Sequence, residues 1–231
     1  MKIASNVGLS LRSNTIIVLS YIFALSIVYS TGFTQTSGTK INTFFAQMED
    51  VGKTVNTLKA DYTQKIFFIS TQEKQESSGT LFLKKPTSIY IQQRVPQERH
   101  LYIDAKNITI YTPENEQAVI DSLNNIFNDD FVPATIINLG NNWRKIKKTN
   151  LISLIEDSEK HTVITITPVE NKNCSIKIYI SKTNMYPIKA TAESEGVISE
   201  IIFRNYVINP AFDKNIFKFN VPDNVEIIKL N

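Results

Sequence analysis

The chain has 231 residues, of which 42% are hydrophobic and 20% are charged, a composition typical of a globular protein with a packed core. The 7 glycines and 8 prolines are too few for a collagen-like or disordered chain. The formal net charge is +3, but Lys2 and Arg12 are the only charges before Lys40, so the rest of the chain carries +3 − 2 = +1. This balance gives no support for nucleic-acid binding, and we expect no nucleic-acid partner.

The first 32 residues have the organisation of an export signal. Lys2 and Arg12 precede an uncharged apolar run from Thr15 to Ser30, and small residues follow it. The sequence therefore predicts a signal peptide over residues 1–32, which is removed, and a single domain over residues 33–231 in the periplasm. An uncleaved membrane anchor is the alternative, although the run is shorter than the roughly 20 residues that a spanning helix needs.

Patterns that usually carry catalysis or metal binding do not occur in the sequence. Because Cys174 is the only cysteine, no disulfide can form within the chain. His100 and His161 fall in separate predicted strands without a neighbour at metal-ligand spacing. The adjacent Asp129 and Asp130 precede a predicted helix, where such residues usually serve as caps. We therefore expect a binding protein that uses no cofactor and no metal, and not an enzyme.

The chain predicts one amphipathic helix, a run of strands, short helices and a second run of strands. Apolar residues recur every three or four positions over 39–58, which predicts the helix. About six strands follow, with a polar turn over 71–79 in the first hairpin. Residues 122–140 predict one or two short helices, and the basic stretch 144–148 predicts a solvated turn. The second run is predicted over 151–157, 161–168, 173–181, 186–194 and 197–208, with one or two short strands over 217–228.

Within each run of strands no crossover helix is predicted, so the sheet should be largely antiparallel, and a long meander must curl into a barrel or half-barrel. The strands carry apolar residues on both alternating positions, as at 66–69, 81–83 and 89–91. A sheet with one solvated face should be apolar on one side only. Either both faces are packed within the protein, or the concave face holds an apolar ligand under the helices, and the pattern leaves both interpretations open.

Five segments, in order along the chain, resemble the LolA family of lipoprotein carriers. They are LKADYTQKI (58–66), GTLFLKKP (79–86), IDAKNITIYTPENEQAV (103–119), VPATIIN (132–138) with NNWRK behind it, and FKFNVPDNVEI (217–227). The resemblance covers residues 42–229. It implies a mainly β fold with an α lid, in which short helices cover an unclosed antiparallel β-barrel of about eleven strands.

The resemblance also implies a function. Members of the family accept acylated lipoproteins from an inner-membrane lipoprotein-releasing ABC transporter, shield the acyl chains in an apolar cavity, and pass the cargo to an outer-membrane lipoprotein acceptor. We expect this chain to act in that way as a monomer. The alternatives are a binding or sensor module of the same fold for another lipid or amphiphile, and a hydrolase with dispersed catalytic residues.

Family positions carried over to this chain give a candidate site. Ile89 and Ile91 match cavity-facing aromatic positions of the family, and Ile137 matches a lid position. The apolar ligand-binding residues that we expect are Leu81, Leu83, Ile89, Ile91, Phe131, Ile136, Ile137 and Phe44.

Lys85 is the expected lid latch. It takes the place of an arginine that hydrogen-bonds lid carbonyls in the family's K-R-P motif. Because an ammonium group lacks the planar fork of a guanidinium, we expect Lys85 to latch the lid with fewer simultaneous bonds. A solvated lysine at a strand end is the alternative.

Overall fold

A computed structural model of the chain describes residues 38–122, 143–169, 173–194, 196–213 and 215–230. Two α-helices lie in these ranges, α1 at Gly38–Thr54 and α2 at Trp143–Thr149, with a single 3-10 turn at Pro113–Asn115. Within the described residues, no helix is long and apolar enough to cross a membrane.

Twelve strands form one sheet within the described residues. Their bounds are β1 Thr57–Phe68, β2 Glu73–Lys84, β3 Ser88–Val95, β4 Arg99–Ile103, β5 Asn107–Thr112, β6 Gln117–Ser122, β7 Asn150–Asp157, β8 His161–Pro168, β9 Ser175–Ser181, β10 Pro187–Ser194, β11 Val197–Ile208 and β12 Glu226–Lys229. The order is β12-β6-β5-β4-β3-β2-β1-β11-β10-β9-β8-β7, and β12 and β7 are its edges. The predicted mainly β fold with an unclosed antiparallel sheet is confirmed. The strand beyond the expected eleven is β12, which pairs with β6 in parallel.

Helix α1 lies on one face of this sheet, which we call the inner face. The spacing of its apolar residues places Phe44, Phe45 and Met48 on one side of the helix. These three side chains are buried against an isoleucine-rich cluster on β8 and β9. Ile146 of α2 is buried in the same cluster. The two described helices therefore cover the β8–β9 part of the inner face.

The opposite, outer face carries a stack of rings that we call the outer aromatic cluster, formed by Phe82, Tyr90, His100, Tyr102 and Tyr111. The Tyr90 ring centroid lies 5.4 Å from that of Phe82 and 4.9 Å from that of Tyr102. The Tyr90 hydroxyl lies 2.7 Å from Nδ1 of His100. Burial raises the pKa of both the Tyr90 and the Tyr102 hydroxyl. Tyr90, in the middle of the stack, is buried, and the other four rings are partly exposed.

Residues 209–213 and 215–225, which we call the C-terminal segment, cross the outer aromatic cluster between β11 and β12. Phe212 packs against Phe82 at 5.6 Å between ring centroids. Phe219 lies 5.5 Å from Tyr102 and 5.3 Å from Tyr111. These contacts explain why outward-facing residues of the strands are apolar as well as inward-facing ones. The outward-facing rings are packed against the C-terminal segment.

Several predicted boundaries differ from the structure. The helix predicted over 39–58 ends at Thr54, because β1 begins at Thr57 and pairs with both β2 and β11. The polar turn predicted over 71–79 is shorter, because β2 begins at Glu73. The paired backbone of that hairpin needs no apolar side chains, and Glu73 to Glu76 pair with Phe68 to Lys65 in register.

One further prediction on the second half of the chain was wrong. The basic stretch 144–148 is part of helix α2 rather than a solvated turn, because Ile146 is buried at 4% exposure while Lys147 faces solvent. Of the one or two short strands predicted over 217–228, one is present as β12, and residues 217–225 are irregular. The short helices predicted over 122–140 lie, apart from Ser122 at the end of β6, outside the described residues.

Replacing Phe219 by alanine should lower the free energy of unfolding by about 1–3 kcal/mol, less than for a fully buried phenylalanine. The reason is the loss of ring packing on Tyr102 and Tyr111. Urea denaturation measures the change, and Val221→Ala, at an exposed position of the same segment, is the matched control. Equal stability of Phe219→Ala and wild type would contradict the packing role of the C-terminal segment.

Candidate functional site

The candidate site is an apolar region of the inner face on strands β2 to β5, which we call the inner apolar surface. Strand register aligns Leu83 with Ile89 and Ile103, and Leu81 with Ile91 and Leu101. Each strand contributes alternate residues to this face because side-chain direction alternates along a strand. Its members are Leu81, Leu83, Ile89, Ile91, Leu101, Ile103, Ile108 and Ile110.

Four of the predicted cavity residues come together in this surface. Leu81, Leu83 and Ile89 are buried in one cluster, and Ile91 packs beside them. Phe44 is placed elsewhere, in the cluster that α1 forms with β8 and β9. The structure thus divides the inner face into a part filled by α1 side chains and a part lined by strands β2 to β5.

The inner apolar surface meets the described helices only at one end. Val51 and Val55, at the end of α1, pack with Leu83 and its neighbours. At the other side, Leu101, Ile108 and Ile110 form a cluster in which every described member comes from β4 or β5, or from Ile91 of β3. The predicted lid residues Phe131, Ile136 and Ile137 lie outside the described residues.

Lys85, the predicted latch residue, is half-buried where β2 ends, next to the end of α1. Its Nζ donates a hydrogen bond to the backbone carbonyl of Gly52, one of the last carbonyls of α1. The backbone N–H of Lys85 donates to the carbonyl of Asn56 at 2.9 Å. A cation at this position is favoured by the negative end of the helix dipole. Burial opposes it and lowers the pKa of the Lys85 ammonium group.

Asn209 holds the same helix end from the other side, and the sequence analysis did not find it. Its Nδ2 donates to the Thr54 carbonyl at 2.9 Å, and its Oδ1 accepts from the Asn56 N–H at 2.7 Å. Asn209 has a φ of 54°, in the left-handed region that asparagine tolerates better than most residues. The Asn-Pro pair at 209–210 was the available signal, since it marks a turn.

Buried polar residues follow the inner apolar surface toward the opposite end of the strands. Gln64, Gln93 and Arg99 lie on the inner face and are 2%, 1% and 6% exposed. Gln64 Nε2 donates to the Ser199 hydroxyl at 3.0 Å. This polar group was not predicted from the sequence, although strand alternation places Gln93 on the same face as Ile91.

Gly79 lies between Tyr62 and Gln93 in the same row of the inner face. A Cβ added there would lie 2.0 Å from the carbonyl oxygen of Gln92. The register of β2 and β3 shifts at this point, which brings the two backbones close together. A glycine is therefore required by the close approach of β3.

Comparison with known proteins places the chain in a described family. Residues 53–220 match the model of the family described as Outer membrane lipoprotein carrier protein LolA. A protein named outer-membrane lipoprotein carrier protein from Pasteurella multocida (strain Pm70) is 28% identical over 176 residues, covering 75% of this chain and 80% of that protein. The protein of the same name from Histophilus somni (strain 129Pt) is 27% identical over 175 residues, covering 74% of this chain and 80% of that protein.

A solved structure gives an independent comparison of the fold. An uncharacterized conserved protein from Thermus thermophilus superposes with a TM-score of 0.55 at 9% identity, covering 83% of this chain and 99% of that chain. At such low identity, the match extends to the fold alone.

Replacing Lys85 by methionine should speed amide hydrogen exchange in the last turn of α1, because the Gly52 carbonyl loses a charged donor. Val55, whose N–H donates to the same carbonyl at 3.2 Å, is the amide to follow. Lys84→Met is the matched control, since Lys84 is exposed and adjacent. Unchanged exchange at Val55 in Lys85→Met, measured by NMR, would contradict an anchoring role for this side chain.

Proposed function

Because this chain belongs to the LolA family, we propose that it carries the acyl chains of lipoproteins through the periplasm. It takes acylated lipoproteins from an inner-membrane lipoprotein-releasing ABC transporter and gives them to an outer-membrane lipoprotein acceptor. It catalyses no reaction and acts as a monomer. The observation that carries the proposal is the inner apolar surface, whose apolar residues continue across four neighbouring strands.

The size of this surface suits acyl chains. Strands lie about 4.8 Å apart, so β2 to β5 span about 14 Å, and each further row of inner-facing residues adds about 7 Å along the strands. Exposing an acyl chain to water costs about 0.8 kcal/mol per methylene, or about 12 kcal/mol for a chain of about 15 methylenes. A periplasmic carrier therefore needs a continuous apolar surface, and isolated apolar patches would not be enough.

The end of α1 is the proposed gate, with Lys85 as its latch. Val51 and Val55 cover the border of the inner apolar surface, and the bond from Lys85 to Gly52 fixes this end of the helix. One hydrogen bond from a half-buried ammonium is a small contribution to the free energy of closure. The free-energy cost of opening the gate can then be offset by the binding of acyl chains.

The proposed function is tested by the release of a radiolabelled lipoprotein from spheroplasts on addition of the purified protein. Wild type should release the lipoprotein, and Ile91→Asp should release at least about tenfold less, because a carboxylate on the inner apolar surface would be desolvated by an acyl chain. Gln92→Asp is the matched control, since Gln92 is the next residue of β3 and faces outward. Circular dichroism confirms that each variant folds.

Failure of the wild-type protein to release lipoprotein, where a known carrier succeeds, would contradict the proposal. Mass spectrometry of material that co-purifies from the periplasm then separates the alternatives. Intact acylated polypeptides support the carrier function, whereas free lipids alone would support a carrier or sensor for another amphiphile.

Replacing Lys85 by leucine should tighten binding of an acyl probe a few-fold and slow its transfer to an acceptor. Loss of the latch raises the population of the open, binding-competent state, which lowers the apparent dissociation constant. Lys84→Leu should behave as wild type, because Lys84 is exposed. If both binding and transfer were unchanged in Lys85→Leu, the bond from Lys85 to Gly52 would not act as a latch.

A further inference from the structure

The inner face of β3 changes from apolar to polar between two successive inner-facing residues. Ile91 belongs to the inner apolar surface, and Gln93 follows it on the same face about 7 Å along the strand. Gln93 is 1% exposed, and its register partner on β4 is the buried Arg99. An acyl chain on the inner apolar surface would therefore place the first polar atoms attached to it near this pair.

The orientation of the Gln93 side chain follows from its hydrogen bond. Nε2 donates to the backbone carbonyl of Gln97 at 2.9 Å, and because a carbonyl only accepts, the amide nitrogen must occupy that position. Oε1, the second polar atom of the side-chain amide, is therefore directed away from the Gln97 carbonyl. It is buried, and no described residue donates a hydrogen bond to it. A buried acceptor without a donor is costly and uncommon in folded proteins.

We propose that Oε1 of Gln93 accepts a hydrogen bond from an amide N–H next to the acyl chain of the bound cargo. The ligand class is a secondary amide that carries a fatty acyl chain, which an acylated polypeptide provides. A diacylglycerol ester has acceptors at the same place and no N–H, so it leaves Oε1 unsatisfied. This inference rests on the proposed carrier function and adds a determinant of cargo choice to it.

Arg99, the register partner of Gln93, cannot take over this role. A guanidinium offers five N–H donors and no acceptor, whereas the Gln93 oxygen offers an acceptor. The N–H of a peptide group needs an acceptor, and of these two side chains only Gln93 provides one. Gln93 is therefore the residue that distinguishes amide from ester, and Arg99 is not.

Two ligands that differ in one atom test the inference. N-palmitoylglycine methyl ester has an amide N–H where O-palmitoylglycolic acid methyl ester has an ester oxygen. Each competes against a fluorescent fatty acid bound to the full mature protein. Wild type should bind the amide about three- to tenfold more tightly than the ester, the effect of one hydrogen bond.

Variants at Gln93 assign the preference to this side chain. Gln93→Met, similar in size and without an amide oxygen, should bind both ligands with equal affinity. Gln92→Met, at the neighbouring outward position, should keep the wild-type ratio. Gln93→Leu, which also lacks an amide oxygen, should likewise bind both ligands with equal affinity, so a second variant remains where Gln93→Met does not fold.

The outcomes separate this inference from the function on which it rests. Equal binding of amide and ester by wild type overturns the role of Gln93 and leaves the carrier function in place. A ratio that persists in Gln93→Met overturns it as well. If the fluorescent fatty acid itself does not bind to the wild-type protein, the proposed binding of acyl chains fails, and the inference fails with it; if it binds and neither ligand displaces it, the inference alone is overturned.

Discussion

Apolar side chains on both faces of one sheet impose the constraint on which this structure depends. A sheet of that kind leaves neither face to water, so each must be covered by other parts of the chain or by a ligand. The C-terminal segment covers the outer aromatic cluster through Phe212 and Phe219. Helix α1 covers the β8–β9 part of the inner face. The inner apolar surface on β2 to β5 is the part whose described contacts with helices are confined to the end of α1.

The free-energy contributions of side-chain burial and of hydrogen bonds show which interactions hold α1 on the sheet. Full burial of a side chain such as Phe45 or Met48 contributes about 1.5–3 kcal/mol each, and both are at most 2% exposed. A hydrogen bond from the half-buried Lys85 is worth less after solvent screening. Packing thus fixes the body of α1 on the sheet, while Lys85 and Asn209 act on its last turn alone.

Much of this architecture follows from alternation and spacing in the sequence. The alternate isoleucines of β9, Ile176, Ile178 and Ile180, share a face because side-chain direction in a strand has a period of two. The helix of residues 39–58 was found from its apolar stripe, but its end was not, because Leu58 fits the helical spacing as well as the strand. The pairing of Leu58 with Leu83 and Ile208 decides between them.

The site was predictable where side chains alternate and unpredictable where distant segments meet. Leu81, Leu83, Ile89 and Ile91 come together because neighbouring strands are consecutive in the chain. Asn209 lies more than 150 residues from the helix end that it caps, so no local pattern connects the two. In the same way, the C-terminal segment covers the outer aromatic cluster although it is distant in sequence from the strands that carry it. The alternation of side chains along a strand assigns each residue to one of two faces. Only the tertiary structure shows which segment covers each face.

Photo-crosslinking from the two faces of β3 tests the central claim most directly. A photoreactive amino acid is introduced at position 91, on the inner face, or at position 92, on the outer face, and the cells are irradiated. We expect crosslinks to acylated polypeptides from position 91 and none from position 92. Crosslinks from position 92 alone, or equal yields from both, would contradict a carrier that holds acyl chains on the inner apolar surface.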